Sequence, residues 1–219
     1  MPPHVAGPTA ALAGIPAGLQ AQGVWLGRRQ IFVRFAAEAE TATMYTADAL
    51  ANEMRRSASR SAFHSISIGG RDPLSNAEYL CAVFEKPPVP LPVLLDTDGQ
   101  RPEALPEMKK FITLVQVTLG GAALDATVER GLQSLTVAAA SGMQHALVLS
   151  PTEQTSDPQL LRIVEQAHAA SAATKIVIHP PPAVPIDRDR RWVTLMERAA
   201  AVHPDVRFGL KLPPPTGMR

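Results

Sequence analysis

Polar residues that could do chemistry follow several apolar runs of the sequence. Asp96 and Asp98 come directly after the run at 93–95, and His179 follows the run at 176–178. Two carboxylates at one strand end could hold a ribose or a cation, and an Asx turn that caps the loop is the alternative. His179 could act as a base or a ligand. Because no second histidine or cysteine lies at metal-binding spacing from it, a structural histidine is favoured.

Two glycines and one arginine are further candidates. Gly69 and Gly70 end a β-branched run, where they could cradle the polar groups of a ligand or only make a tight turn. Arg34 lies on a predicted strand that should face the inside of the barrel, where a charged side chain is costly without a partner. We expect it either to pair with a carboxylate such as Glu38 or to receive an anionic ligand.

The elements that must position these residues are short apolar runs alternating with stretches of helical period. The predicted strands cover residues 30–35, 63–68, 93–96, 114–119, 146–150, 175–179 and 206–210, and the predicted helices cover 47–59, 75–85, 124–142, 157–170 and 190–202. Several of the strands are apolar without alternation, which is typical of parallel strands covered on both faces. The pattern predicts an α/β fold, a partial (β/α) barrel of six or seven mostly parallel strands with outer helices. The site would then lie at the carboxyl ends of the strands.

The bulk composition excludes several classes of protein. Hydrophobic residues make up 46% and charged residues 19% of the chain, which argues against a disordered or fibrous protein. The formal net charge is +1 and the densest basic run, at 187–191, is interrupted by aspartates, so no nucleic-acid binding is expected. No apolar stretch approaches the roughly 18 residues of a membrane span. We expect a cytoplasmic protein with a flexible leader over residues 1–14 and a single domain over 15–219.

Several segments, in order along the chain, resemble the 7-carboxy-7-deazaguanine synthase family of radical-SAM enzymes. Residues 20–36, QAQGVWLGRRQIFVRFA, are similar to that family's Q-G-E-G and G-R-x-x-x-F-V-R opening. Residues 67–74, SIGGRDPL, resemble its T-G-G-E-P-L-L segment, and residues 95–100, LDTDGQ, resemble L-E-T-N-G-T. Residues 204–208 and 217–219 are similar to its last strand and its tail.

The resemblance implies a barrel of the radical-SAM type and an ancestral site within it. In the family, a [4Fe–4S] cluster, S-adenosylmethionine and Mg²⁺ rearrange 6-carboxytetrahydropterin towards 7-deazapurines. The resemblance implies that the following residues are remnants of the cofactor pocket: Gly69, Gly70, Asp72, Asp96 and Asp98. It also makes four further residues candidates for ligand binding: Gln20, Arg34, His179 and Lys211.

The three positions of the family's cluster cysteines carry other residues here. They fall at Glu38, Ala42 and Tyr45, and the chain's single cysteine, Cys81, lies far from them in sequence. Such clusters are held by thiolates, so three ligands are missing. Without a cluster no electron can reach the sulfonium of S-adenosylmethionine. We therefore expect no [4Fe–4S] cluster, no bound metal and no radical chemistry, and the same losses argue against S-adenosylmethionine binding.

Two functions stay open on the sequence. The first is a non-catalytic accessory, binding or regulatory protein, a pseudoenzyme. The second is a repurposed non-radical enzyme or binder that acts on a pterin- or 7-deazapurine-like small molecule. No new catalytic constellation replaces the lost one, which favours the first. The resemblance further implies a homodimer or a subunit of a complex with a partner protein, with a small molecule as a candidate ligand.

Overall fold

The computed structural model describes residues 7–87, 89–121, 124–181 and 190–212, and these residues form one ten-stranded sheet. Its strands are β1 (Thr9–Gly14), β2 (Ala17–Leu19), β3 (Arg29–Phe35), β4 (Thr43–Thr46), β5 (Ser65–Gly70), β6 (Val93–Thr97), β7 (Leu114–Gly120), β8 (His145–Ser150), β9 (Lys175–Ile178) and β10 (Val206–Phe208). The order across the sheet is β10-β9-β8-β7-β6-β5-β3-β1-β4, and β2 also pairs with β3. From β3 to β10 every neighbouring pair is parallel, which confirms the predicted α/β fold with a mostly parallel sheet.

The first strand lies where the sequence predicted a leader. Residues 9–14 form β1, which pairs antiparallel with both β3 and β4. Ala10 and Leu12 point to the same side of β1 and are 3% and 1% exposed, so burial of these two side chains explains why the segment is ordered. The strand β4 was also missed, because its residues are mostly exposed and carry no apolar alternation.

Six helices complete the described chain. They are α1 (Ala47–Arg60), α2 (Ala77–Phe84), α3 (Leu105–Met108), α4 (Leu124–Ala140), α5 (Asp157–Ala170) and α6 (Arg190–Val202). The predicted bounds of α5 and α6 are confirmed, and α1 differs by one residue. Asp48 is a plausible N-cap on the sequence, but Thr46 caps α1 instead, since its Oγ1 accepts a hydrogen bond from the amide of Ala49 at 3.2 Å.

Residues 75–78, SNAE, have the sequence pattern of a capping box, from which Ser75 and Glu78 are predicted to cap α2, but the structure forms none there. A 3₁₀ turn over Pro73–Asn76 precedes that helix, and Ser75 donates its hydroxyl hydrogen to the carbonyl of Asp72 at 2.7 Å. Asn76 stands at the N-cap, but its side chain makes no capping hydrogen bond and instead donates to Oγ of Ser75 at 3.0 Å. Pro73 fixes φ for this tight turn. The hydroxyl of Ser75 is engaged within the turn and does not cap α2. The capping box of the protein is at α5 instead, between Ser156 and Gln159.

The two faces of the sheet are covered differently. All six helices contribute side chains to one large core on one face, where alternate strand residues such as Val115 and Val117 are buried. The opposite face, called the inner face below, carries the intervening residues of each strand. There Leu94, Leu114 and Ala146 form a separate small cluster.

The inner face is covered by the segment between β2 and β3. This segment, residues 20–28, is called the crossing loop below. Two backbone hydrogen bonds of 2.8 Å close its base, from the amide of Gln20 to the carbonyl of Arg28 and from the amide of Gly27 to the carbonyl of Gln20. Its tip carries Val24 and Trp25, which pack on the small apolar cluster of the inner face. The loop thus reaches from β3 across the starts of β6, β7 and β8.

Candidate functional site

A carboxylate, an amide and a hydroxyl meet in the middle of the inner face. Asp96 of β6 is the register partner of Gln116 of β7, so the two side chains project from the same side of the sheet. Thr118, two residues further along β7, donates its hydroxyl hydrogen to Oδ1 of Asp96 at 2.5 Å. The side chains of Gln116 and Gln22 also lie near the carboxylate and lower its pKa. The crossing loop therefore contributes directly to the environment of Asp96.

Opposing influences act on the pKa of the Asp96 carboxyl. Burial raises the pKa of the Asp96 carboxyl, because an ionised group loses hydration there. The side chains of Thr118, Gln116 and Gln22 lower this pKa, and so does the positive charge of Lys211. Burial in turn lowers the pKa of Lys211, and the Asp96 carboxylate opposes that shift. Lys211 was predicted to bind a ligand, and the structure shows it as the cationic neighbour of Asp96.

His179 has both ring nitrogens engaged by backbone groups. Its Nε2 accepts a hydrogen bond from the amide of Gly23 at 2.8 Å, and its Nδ1 donates to the carbonyl of Gly209 at 2.7 Å. This pairing requires a neutral ring with the hydrogen on Nδ1. Burial is the main cause that lowers the pKa of His179. The side chain is 1% exposed, so the structure supports the structural histidine that the sequence favoured.

Gln116 is the residue that sequence reasoning missed. It is fully buried in the middle of β7, and its Oε1 accepts a hydrogen bond from the amide of Val24 at 3.2 Å. A lone amide inside an otherwise apolar strand is the signal that could have found it. Its partner in the crossing loop could not be found that way, because the two residues lie 92 positions apart.

Of the two glycines of β5, Gly70 is required by the packing of the neighbouring strand and Gly69 is not. Both glycines belong to the strand rather than to a following turn. At Gly70 a β-carbon would lie 2.3 Å from the carbonyl oxygen of Phe35, so the backbone of β3 leaves no room for a side chain. At Gly69 a β-carbon would lie 3.5 Å from the carbonyl oxygen of Asp96, which is ordinary contact.

The carboxylates of Asp72 and Asp98 are used by neighbouring loops: that of Asp72 by the loop after β6, and that of Asp98 mainly by its own loop. Oδ2 of Asp72 accepts from Nε of Arg101 at 2.8 Å. Oδ1 of Asp98 accepts from the amide of Gln100 at 3.3 Å, which is the Asx turn considered for this residue. Its Oδ2 accepts from the side-chain amide of Gln100 at 2.8 Å and lies 3.5 Å from Nη2 of Arg130. These contacts favour loop capping over ribose or cation binding at Asp98.

Arg34 of β3 pairs with a different carboxylate from the example named in the sequence prediction. Nη2 of Arg34 lies 3.3 Å from Oε1 of Glu40, and both side chains are exposed. Arg34 thus pairs with a carboxylate, one of its two predicted roles, but the partner is Glu40 rather than Glu38. The bend after β3 turns Glu40 back towards the strand, where its Oε2 also accepts from the amide of Ala37 at 3.1 Å. An exposed pair of this kind contributes little to stability.

The three positions of the family's cluster cysteines do not gather at the inner face. Glu38 and Ala42 are exposed in the segment between β3 and β4. Tyr45 lies in β4 opposite Ala10 and packs, partly buried, against the core on the helix side of the sheet. Gln20 is buried at the base of the crossing loop, and its Nε2 finds no acceptor among the residues that the structure describes.

Two comparisons of the sequence with known proteins find no match. The chain matches no family model, and no curated protein is significantly similar to it. Within the described residues, no three histidine, cysteine, aspartate or glutamate side chains are grouped so that they could hold a metal ion. None of the described helices combines the length and the apolar character that a membrane crossing requires.

Proposed function

We propose that this protein is a non-catalytic binding or accessory protein, built on a scaffold similar to that of the 7-carboxy-7-deazaguanine synthases. The observation that carries this proposal is the crossing loop. Its backbone amides at Gly23 and Val24 occupy the acceptors on His179 and Gln116. A ligand of the inner face would need those same acceptors. The chain has thus used for its own packing the groups that an enzyme would direct at a substrate.

The residues at the cluster positions do not fit an iron–sulfur cluster. Glu38, Ala42 and Tyr45 offer no thiolate, and thiolates hold such clusters. Cys81 is part of α2, with its Sγ 3.5 Å from Sδ of Met108. Burial, together with the neighbouring carboxylates, raises the pKa of the Cys81 thiol, which disfavours the thiolate that a metal would bind.

Anaerobic reconstitution with iron and sulfide tests the absence of a cluster. We expect no stoichiometric iron after desalting, no absorbance of an iron–sulfur charge-transfer band and no cleavage of S-adenosylmethionine, because three ligands are lacking. Cys81→Ser is the matched control, and it should retain the same background iron as the wild-type protein. Stoichiometric iron and sulfide together with S-adenosylmethionine cleavage would refute the proposal.

A repurposed enzyme or binder for a pterin- or 7-deazapurine-like molecule is the second candidate. The observation that favours it is Asp96, a half-buried carboxylate with three polar side chains and one cation around it. Isothermal titration with a pterin and with a 7-deazaguanine decides between the two candidates. We expect no saturable heat with either compound. Saturable binding that is lost in Asp96→Asn would favour the second candidate.

An association with a second copy or with a partner protein is part of the first candidate. It rests on the resemblance of the last strand and of the tail, residues 204–208 and 217–219, to a family with a homodimeric habit. Sedimentation velocity across a hundredfold range of protein concentration measures it directly.

A further inference from the structure

His179 joins three segments that are distant in sequence. The crossing loop meets it through the amide of Gly23 at 2.8 Å, and the segment after β10 meets it through the carbonyl of Gly209 at 2.7 Å. His179 itself directly follows β9. A further hydrogen bond of 3.0 Å, from the amide of Leu212 to the carbonyl of Ala21, ties the same segment to the crossing loop. The imidazole is therefore the point where the loop is fastened to the far side of the sheet.

The hydrogen bond from Gly23 depends on a neutral imidazole. With its hydrogen on Nδ1, the ring uses Nε2 as an acceptor for the amide of Gly23. Protonation places a hydrogen on Nε2, so that two donors then face each other across 2.8 Å. The bond at Nδ1 to Gly209 survives, because Nδ1 is a donor in both forms. Protonation therefore acts on the attachment of the crossing loop and spares the attachment of the segment after β10.

We propose that His179 is a pH-sensitive latch, whose protonation releases the crossing loop from the inner face and uncovers Gln116 and Asp96. The latch depends on the two hydrogen bonds of one imidazole. It does not depend on whether the protein is catalytic, so its failure and the failure of the proposed function are separate results.

The charges around the latch favour the neutral, closed form. Lys211 is the cation that faces His179 from the segment after β10, and its charge lowers the pKa of the imidazole in addition to burial. Asp96 on β6 faces Lys211 in turn. At the other end of the loop, the ring of Trp25 contacts His64 with 4.9 Å between ring centroids. Burial and the charge of Arg28 lower the pKa of His64. His64 is therefore a second titratable group in contact with the crossing loop, and the experiment needs a control variant at this position.

The direction of the pH effect follows from the lowered pKa of His179 in the closed form. The closed loop is fully favoured above the ordinary histidine value of 6.5 and is lost as the pH falls from 6.5 through the lowered value. With one proton linked to opening, the open fraction rises by up to about tenfold for each pH unit in that window.

Nuclear magnetic resonance of the full chain tests the latch without any substitution. A titration from pH 8 to pH 5 follows the imidazole of His179, the backbone amide of Gly23 and the indole N–H of Trp25. We expect the three signals to share one midpoint, and amide exchange at Gly23, corrected for intrinsic pH dependence, to rise by up to about tenfold per pH unit between pH 6.5 and that midpoint. A Gly23 amide that stays protected through the titration of His179 would overturn the proposal.

Two variants identify the responsible histidine. His179→Gln keeps an acceptor that does not titrate, and we expect the pH-dependent opening to disappear while the loop stays closed. His64→Asn removes the titrating group beside Trp25, and we expect the opening to persist with an unchanged midpoint. An opening that persists in His179→Gln, or that vanishes in His64→Asn, would assign the effect elsewhere and refute the latch. If His179→Gln does not fold, the shared midpoint in the wild-type protein still decides.

Discussion

Replacing Gly23 with alanine is expected to lower the free energy of unfolding by about 3–5 kcal/mol. Two costs fall on this residue. Its φ of +81° is strained for any residue with a β-carbon. That carbon would also lie 2.0 Å from Oε1 of Gln116, which is fully buried and cannot move without giving up its hydrogen bond from Val24. Urea unfolding followed by circular dichroism measures the loss.

Gly27→Ala is the matched control for this prediction. Gly27 lies in the same crossing loop with a similar φ of +76°, but nothing stands within 4 Å of the β-carbon that alanine would add. Only the backbone strain remains, and we expect a loss of about 1–2 kcal/mol. Equal losses in Gly23→Ala and Gly27→Ala would show that the contact between the loop and Gln116 contributes nothing to stability.

Replacing Gly70 with alanine should be as damaging, for a reason located in the backbone. The φ of Gly70 is +95°, and the added β-carbon would lie 2.3 Å from the carbonyl oxygen and 2.7 Å from the amide nitrogen of Phe35. A backbone cannot rotate out of the way as a side chain can, so β3 and β5 must separate locally. We expect a loss of about 3–5 kcal/mol in the free energy of unfolding, measured by chemical denaturation.

The neighbouring glycine supplies the control for Gly70. Gly69→Ala places its β-carbon 3.5 Å from the carbonyl oxygen of Asp96, a normal contact, and its cost should stay below about 1 kcal/mol. The pair separates strand packing from ligand binding as the reason for two adjacent glycines. If Gly69→Ala were as destabilising as Gly70→Ala, the close approach of β3 would not be the explanation.

The parallel part of the fold could be predicted because its signals are local. The strands that begin at Val93 and Leu114 are rich in apolar residues and are buried on both faces, and such strands separated by helices leave few arrangements. The antiparallel edge was missed for the opposite reason. β1 owes its order to the burial of Ala10 and Leu12 against the helices, and two small or medium side chains among prolines and glycines give no clear period.

The candidate site was predicted in its position but not in its composition. Asp96 and His179 lie where parallel strands end, as expected for an α/β sheet. Their partners come from the crossing loop and from the segment after β10, and nothing in the sequence pairs Gly23 with His179 or Gln22 with Asp96. Contacts of this kind depend on tertiary packing alone. The contact of Asp98 with Gln100, two residues away, could be predicted from the known pattern of Asx turns.

The hydrogen bond between Gly23 and His179 spans 156 positions of the chain, which has a consequence for the order of folding. A contact of that separation forms only after the intervening sheet has been built, because closing such a long loop is entropically costly. During synthesis the crossing loop leaves the ribosome early and must wait for β9 and β10. Until then the loop can pack Val24 and Trp25 on Leu94, Leu114 and Ala146, but it lacks its attachment to His179. A stalled chain that ends before β9 would therefore hold the crossing loop by its apolar tip alone.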